Sequence, residues 1–574
     1  MPLVDPSPLK RLCANEDTLP AAKKARTTAE SFNPLQIKPL GNLLWQPENR
    51  WTRELGLGNL AVLPDELLLT SIFSLLEGED LVRMAGTSRA LFAWSSVEGM
   101  WKGLYIAKTQ GRLLEWRGSW RASYIATFLR PSSDPADAPL PSSSISTPTL
   151  HSDVLFQPCL CAAFDARDIF LSPSFSPSIP RLSGADLLPS DLPHEPVILT
   201  GLASSWPALS SDPSRRWTLA DLSARFPAQN FRAEATLTTL KEYTAYHDRC
   251  AQDESPLYLF ESEFVRKTEG HGEPSLGEDY EVPRCFSEDL FGVMGDERPD
   301  YRWLIAGPER SGSTFHKDPN STSAWNTVVT GQKAWVMFPP EVTPPGVYAS
   351  PDGAHVEAPL SLAEWFLSYY KTAQAIYGAK AKDPATRGKM REGICGVGET
   401  VYVPSGWWHI VINLAPSIAV TQNFVSAREL PAVLDFMKHR PDQVSGFKLR
   451  RPSPPSASPS SAPTLGGLAT QPQADEVHEE GGLDECDETG QGLVFPKFIS
   501  ALRLAGRGDL VDLALEDVEA RERARDEARR EREKRSGGWW SRVTERKEDE
   551  GEEEGGFSFG FGEGELELDE EFEM

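Results

Sequence analysis

Thr314-Phe315-His316-Lys317-Asp318-Pro319 is the stretch on which the reading of this chain turns. Side chains alternate across an extended strand, so a His-x-Asp pair places His316 and Asp318 on one face. A second histidine answers it far downstream, in Val403-Pro404-Ser405-Gly406-Trp407-Trp408-His409. Coming from another strand, His409 completes a face of two neutral imidazoles and one carboxylate. That set leaves coordination positions open opposite it, the ligand pattern of a non-haem Fe(II) oxygenase. His-x-Asp alone is a weak motif, and its weight comes from its flanks.

Those flanks predict strands. Residues 301–306 are aromatic and aliphatic and break at Gly307-Pro308. Residues 325–329 and 333–338 are β-rich runs that Thr330-Gly331-Gln332 joins like a hairpin turn, and 399–403 ends at Pro404. Residues 407–414 and 417–425 read as two further strands, broken at Ala415-Pro416. Many short strands with Gly/Pro turns predict a cupin or jelly-roll barrel inside a multidomain α+β chain. On the last two strands His409, Val411 and Asn413 share one face, and Ala419, Thr421 and Asn423 share another. Lys333 opens an otherwise apolar strand on the face of Trp335 and Met337. Beside a metal triad, an inward lysine is what a dicarboxylate co-substrate needs, because a desolvated carboxylate requires a cation and hydrogen bonds. Thr421, Asn326 and Tyr258 can supply the neutral hydrogen bonds.

The pattern Gly-Pro-x-Arg-Ser-Gly-x-x-x-His-x-Asp-Pro over 307–319 resembles the JmjC family of Fe(II)/2-oxoglutarate oxygenases. So do Thr322-Ser323-Ala324-Trp325-Asn326, Gly331-Gln332-Lys333-Ala334-Trp335, 403–409 and Thr421-Gln422-Asn423-Phe424. Within that family the chain is most similar to the lysyl hydroxylase/arginine demethylase branch once called the phosphatidylserine receptor. The likeness runs over 195–425, roughly two fifths of the chain. It implies a double-stranded β-helix barrel with His316, Asp318 and His409 as iron ligands. It also implies 2-oxoglutarate held by Lys333, Thr421, Asn326 and Tyr258. Ser313 stands where the branch often has threonine and keeps the hydroxyl. Fe(II), 2-oxoglutarate and O2 would then serve hydroxylation of lysine, or demethylation of methylated arginine or lysine, in a protein substrate such as a histone or other nuclear protein.

A second module precedes the barrel. Leu63-Pro64-Asp65-Glu66-Leu67-Leu68-Leu69 begins a helix, with Leu68, Ile72, Leu75 and Leu76 at helical spacing. Shorter helices follow over 80–84 and 88–94. The Leu-Pro-x-Glu start, Asp80-Leu81 and Trp101 resemble an F-box, which implies docking to a Skp-type adaptor of cullin ubiquitin ligases. The competing function is therefore an F-box substrate receptor whose barrel only binds; the complete triad with Lys333 argues for the oxygenase. A helical hairpin packed against the barrel would explain the same pattern without any ligase.

Composition bounds the rest. The chain has 574 residues, seven cysteines and a formal charge of −26. No Cys-x-x-Cys pair occurs, and a reduced compartment is expected. No signal core or run near ~18 apolar residues predicts a membrane span. The acidic sign disfavours direct nucleic-acid binding. Lys10-Arg11 and Lys23-Lys24-Ala25-Arg26 have bipartite nuclear-import spacing and predict nuclear localisation. Residues 548–574 hold 13 acidic and no basic residues, which predicts a solvated tail. Residues 519–535, with six acidic and eight basic side chains, read as an exposed helix. The expected divisions are a 1–55 segment without order, 58–130 F-box and helices, and a 131–155 linker. They continue with a 156–445 oxygenase domain, a 446–492 linker, helices over 493–540 and the 541–574 tail. Glu278, Asp279, Asp296 and Asp300 could contact a basic substrate, and an exposed loop face explains them as well. The remaining histidines, His151 among them, are assigned to loops or helix surfaces.

Overall fold

Two long antiparallel strands, Ser323–Phe338 and Trp408–Phe424, form the spine of an 11-stranded sheet. This is a computed structural model, and it describes residues 32–129, 145–350, 353–359, 361–449 and 491–545. Alternation sets the two faces. Ile410, Ile412 and Leu414 pack outward with Ala334, Val336 and Phe338 against Trp365 and Phe366, while His409 and Val411 point the other way, into a cavity. Thr400–Val403 pairs with the first long strand and with Val197–Thr200; Arg302–Gly307 and Gly312–His316 pair with the second. Leu259–Glu261, Asn230–Ala233 and Thr236–Thr239 extend that edge. The result is the jelly-roll-like cupin architecture with flanking helices.

Both expected strand breaks are corrected. Thr330-Gly331-Gln332 makes no hairpin, and Ala415-Pro416 ends no strand; each lies inside one continuous strand, where the register of the pair shifts. Gly331 has φ +81°, and a Cβ there would lie 2.2 Å from the Pro416 carbonyl oxygen. Asn326 and Trp335 stand an odd number of residues apart yet both line the cavity. A change of phase between them is what a glycine bulge provides. The same signal that reads as a turn in sequence bends one strand and keeps its inward face inward.

The N-terminal helices differ from expectation in detail. Pro64 caps Asp65–Ser71 from outside, and a 3₁₀ turn, Phe73–Leu75, changes the phase. Phe73 is therefore buried and Leu75 is 78% exposed. Gly78–Ala85, Arg89–Trp94 and Glu98–Lys108 follow. These helices share one apolar cluster with the barrel. Trp116 and Trp120 pack on Tyr246 at ring distances of 4.7 and 6.1 Å, and the Trp116 indole N–H donates to the Arg249 carbonyl at 3.2 Å.

Two segments expected to lack order are partly built into this core. Leu35 and Ile37 are buried, Lys38 bridges His151, and Arg50–Leu57 is helical, so order begins within the 1–55 segment. Leu150, His151 and Ser152 are buried and Asp153–Ala163 is a helix, so the 131–155 linker ends early and His151 is no surface residue. The basic clusters, most of the linkers and the acidic tail lie outside the described residues. Past the barrel, Val494–Leu504 places Phe498 on Phe291 at 5.0 Å and Lys497 on Glu297 at 2.6 Å.

By contact the chain divides into Met1–Val511 and Asp512–Met574. The helix Gly508–Glu545 begins in the first unit, and its stretch in the second carries ion pairs one turn apart, Arg521 to Asp517 at 2.7 Å and Arg529 to Asp526 at 3.2 Å. Among the described residues no single helix is long and apolar enough to cross a membrane. The bent pair Pro47–Val62 and Asp65–Leu75 reaches that length jointly, but it buries Leu57, Leu68 and Phe73 in the protein core.

Candidate active site

His316 ends the strand Gly312–His316, and its backbone pairs directly with His409 on the long strand. This crossing brings the two imidazoles together, with ring centroids 4.1 Å apart. It depends on Gly312, where a Cβ would lie 1.9 Å from the Val411 carbonyl oxygen. Each histidine is oriented by the same local device. His316 Nδ1 sits 2.7 Å from the Thr314 carbonyl oxygen and His409 Nδ1 3.1 Å from that of Trp407, two residues back in each case. A carbonyl only accepts, so both Nδ1 atoms carry a proton, and in a neutral ring this leaves the lone pair on Nε2. Burial and the neighbouring His316 hold His409 well below the usual imidazole range, so it stays neutral.

Asp318 completes the group, and one donor atom from each residue lies within 4.8 Å of the others. Its Oδ1 accepts from the Asn423 amide at 3.2 Å, while Oδ2 is withdrawn from water without a hydrogen bond. Burial raises its carboxyl above the usual range. Two imidazole lone pairs and an unsatisfied carboxylate oxygen fit a divalent cation, whose charge would offset that desolvation.

The three residues line a cavity of about 530 Å³ shared with Ser313, Tyr258, Asn326 and Thr421. Thr421 pairs with Asn326 across the two long strands, and its hydroxyl donates to the Trp325 carbonyl at 2.8 Å. Asn326 is buried and its Oδ1 has no partner. Lys333 differs from the other expected residues, because it does not line the cavity. It is fully buried, at 0% exposure, behind Tyr258, to whose hydroxyl its ammonium donates at 2.6 Å. Burial pulls Lys333 down to about 7. A buried amine with one neutral partner fits a carboxylate arriving at the Tyr258 end of the cavity.

Several residues at the site went without a role in the sequence reading. Asn423, seen there only as sharing a face with Thr421, holds Asp318. Arg310, at φ +72°, donates to the Ala251 and Asp253 carbonyls at 2.8 and 3.0 Å and fixes the loop leading to Tyr258. Glu234 and Glu254 line the cavity, as does Trp303. The carboxylates weighed from sequence lie elsewhere. Asp279, expected on an exposed face, is fully buried between Arg225 at 2.8 Å, Arg215 and the Trp217 indole. Asp300 pairs with Lys448 at 2.7 Å.

Comparison with known proteins agrees with this geometry. A family model described as a cupin-like domain matches residues 192–429. The arginine-specific demethylase JMJ22 of Arabidopsis thaliana is 40% identical over 403 residues, 70% of this chain and 75% of the relative. The chain belongs to the JmjC family of cupin-fold oxygenases. The bifunctional arginine demethylase and lysyl-hydroxylase psr-1 of Caenorhabditis elegans is 37% identical over 46% of this chain and 65% of its own length. The human 2-oxoglutarate and iron-dependent oxygenase JMJD4 is 31% identical over 28% of this chain and 36% of its own length. This JmjC protein is an Fe(II)- and 2-oxoglutarate-dependent oxygenase acting on proteins.

Proposed function

We propose that His316, Asp318 and His409 ligate Fe(II), and that Lys333 with Tyr258, Asn326 and Thr421 holds 2-oxoglutarate, for oxidation of lysine or methylated arginine or lysine side chains. The observation that carries this reading is the buried Lys333–Tyr258 pair at the wall of the cavity that the triad lines. When bound, iron and 2-oxoglutarate supply the oxidation: O2 places one oxygen atom in a substrate C–H bond and the other in succinate, with release of CO2.

The chain's own residues do the rest. Backbone carbonyls of Thr314 and Trp407 fix the imidazole tautomers, and Asn423 orients Asp318. Lys333 and Tyr258 would share the far carboxylate of the co-substrate; Asn326 and Thr421 line the same cavity, where the Asn326 amide N–H, or the Thr421 hydroxyl once turned from the Trp325 carbonyl, would donate to it. Ser313 lines the wall near the triad and keeps a hydroxyl there. Aromatic and aliphatic walls, Trp303, Trp335, Ile305 and Val411, exclude water.

Hydroxylation of a lysine carbon stops at the alcohol, whereas hydroxylation of an N-methyl group releases formaldehyde. Relatives named for both activities support either outcome. Peptides from a nuclear extract, incubated with the loaded enzyme and resolved by mass, decide between them. A gain of one oxygen atom identifies a hydroxylase and a loss of one methylene a demethylase. No 2-oxoglutarate-dependent mass change in any peptide would contradict the reading.

A second reading concerns the helical module. Leu44, Trp45, Leu55, Val62 and Leu75 are exposed within a short span, which favours docking of a Skp-type adaptor there and a ubiquitin-ligase connection. Co-purification of the full chain with a Skp-type adaptor, lost in Leu75→Asp, tests it. Nuclear import through Lys10-Arg11 and 23–26 is likewise proposed; a fluorescent fusion that remains nuclear without those clusters would refute it.

A further inference from the structure

Three carboxylates line the cavity: Asp318, Glu234 and Glu254. Asp318 belongs to the triad. Glu234 is paired with Lys102 of the helical module at 3.2 Å. Glu254 makes no ion pair or side-chain hydrogen bond among the described residues, although it is only partly exposed. The Arg310 guanidinium, the other charged group on the wall, is spent on backbone carbonyls.

The position of Glu254 is built, not incidental. The preceding Asp253 is held by the Trp120 indole at 3.0 Å and the Tyr246 hydroxyl at 2.8 Å, both on Oδ2, while its Oδ1 accepts from the Ser255 N–H at 3.1 Å. The Glu254 carbonyl accepts from Ser361 at 3.4 Å. Trp120 comes from the helical region and Tyr246 from the barrel's flanking helix Leu240–His247, so the two regions jointly fix this segment. The same cavity carries Trp303 and Phe260, stacked with centroids 5.2 Å apart. One unmatched carboxylate among apolar and aromatic surfaces suits a long side chain with a positive tip. Burial and the neighbouring Asp253 push the Glu254 carboxyl up to about 7, against a weaker pull from Lys102, as expected for an acid that a closer cation would stabilise.

We propose that Glu254 is the specificity-determining residue of this cavity, receiving the positive charge of a lysine, arginine or methylarginine side chain, and that Lys102 keeps Glu234 from competing for it. The proposal rests on the oxygenase reading above and assigns the residue that reads the substrate's charge. The helical module thereby positions the substrate site without lining it, through Lys102 on Glu234 and Trp120 on Asp253.

The test is calorimetric binding of short glycine–serine peptides to the full chain, each with one central arginine or lysine or its neutral counterpart, citrulline or norleucine. Binding of 2-oxoglutarate with Mn(II) is measured on the same samples. The wild-type chain should prefer the charged peptides by at least about tenfold, a charge-assisted hydrogen bond's worth. Glu254→Gln should abolish that preference with 2-oxoglutarate binding unchanged, and Glu234→Gln should keep it. Lys102→Met, which frees Glu234, should strengthen cationic binding about threefold. No charge preference in the wild-type chain, or its survival in Glu254→Gln, overturns the proposal. Failure of 2-oxoglutarate to bind the wild-type chain would instead overturn the oxygenase site, a separate result.

Discussion

Asp318 and Asp279 both hold carboxylate oxygens out of water, and their surroundings differ in kind. Asp279 is matched on both oxygens, by Arg215, Arg225 and the Trp217 indole. Asp318 has one amide donor on Oδ1 and nothing on Oδ2. A buried charge persists in a stable fold when paired, and an unpaired one carries an energetic cost. Asp279 therefore belongs to the scaffold, whereas the unpaired oxygen of Asp318, facing two imidazole lone pairs, marks a site arranged for a cation. The mismatch, rather than burial itself, separates function from packing.

That contrast can be broken by exchanging outcomes. Asp318→Ala should reduce succinate formation at least about a thousandfold with an unchanged or higher melting temperature. Asp279→Ala should cost about 3–5 kcal/mol of stability, because it strands Arg225 in the interior. Denaturation and turnover assays on both variants check this; reversed results would remove the distinction.

Lys333 sharpens the same logic from the cationic side. Lys333→Met should raise the KM for 2-oxoglutarate about a hundredfold while stabilising the apo chain by a few kcal/mol. The sign follows from a folded value of about 7 against about 10.4 unfolded. As pH falls from about 10.4 to about 7 the unfolded chain takes the proton first, and stability is lost over that window. Binding a carboxylate needs the protonated amine, so wild-type affinity for 2-oxoglutarate should drop about tenfold per unit above pH 7. Titrations between pH 6.5 and about 8.5 check it, and the slope should vanish in Lys333→Met.

Smaller effects follow. Asn423→Ala, which frees Asp318, should weaken Mn(II) binding about 10–100-fold, measured by electron paramagnetic resonance. Trp120→Phe removes the indole donor to Asp253 and should cost about 1–3 kcal/mol by chemical denaturation.

Much of the site is legible because alternation along an extended backbone is a local rule, and the backbone stays extended at Asp318 (φ −61°, ψ 142°) just past the strand that His316 ends. His316 and Asp318 two residues apart, and the parity of Thr421 with Asn423, can be read without knowing the fold. Lys333 was placed on the right strand, but its position behind Tyr258 depends on packing between distant segments. At Gly331 and Ala415-Pro416 the sequence predicts breaks where the strands continue, for a physical reason: glycine with positive φ serves turns and bulges alike, and only the partner strand distinguishes them. The burial of Asp279 leaves no local signal in the sequence, because its arginine partners lie more than fifty residues away. The helical module's fusion to the barrel through Trp116 and Trp120 left no periodic signal.

The most direct test is anaerobic titration of the Fe(II)-loaded full chain with 2-oxoglutarate, followed by the charge-transfer absorption of the chelate. The account predicts a band that saturates at one 2-oxoglutarate per chain, is absent in Asp318→Ala, and needs about a hundredfold more co-substrate in Lys333→Met. An unchanged band in Asp318→Ala, or wild-type saturation in Lys333→Met, would contradict it.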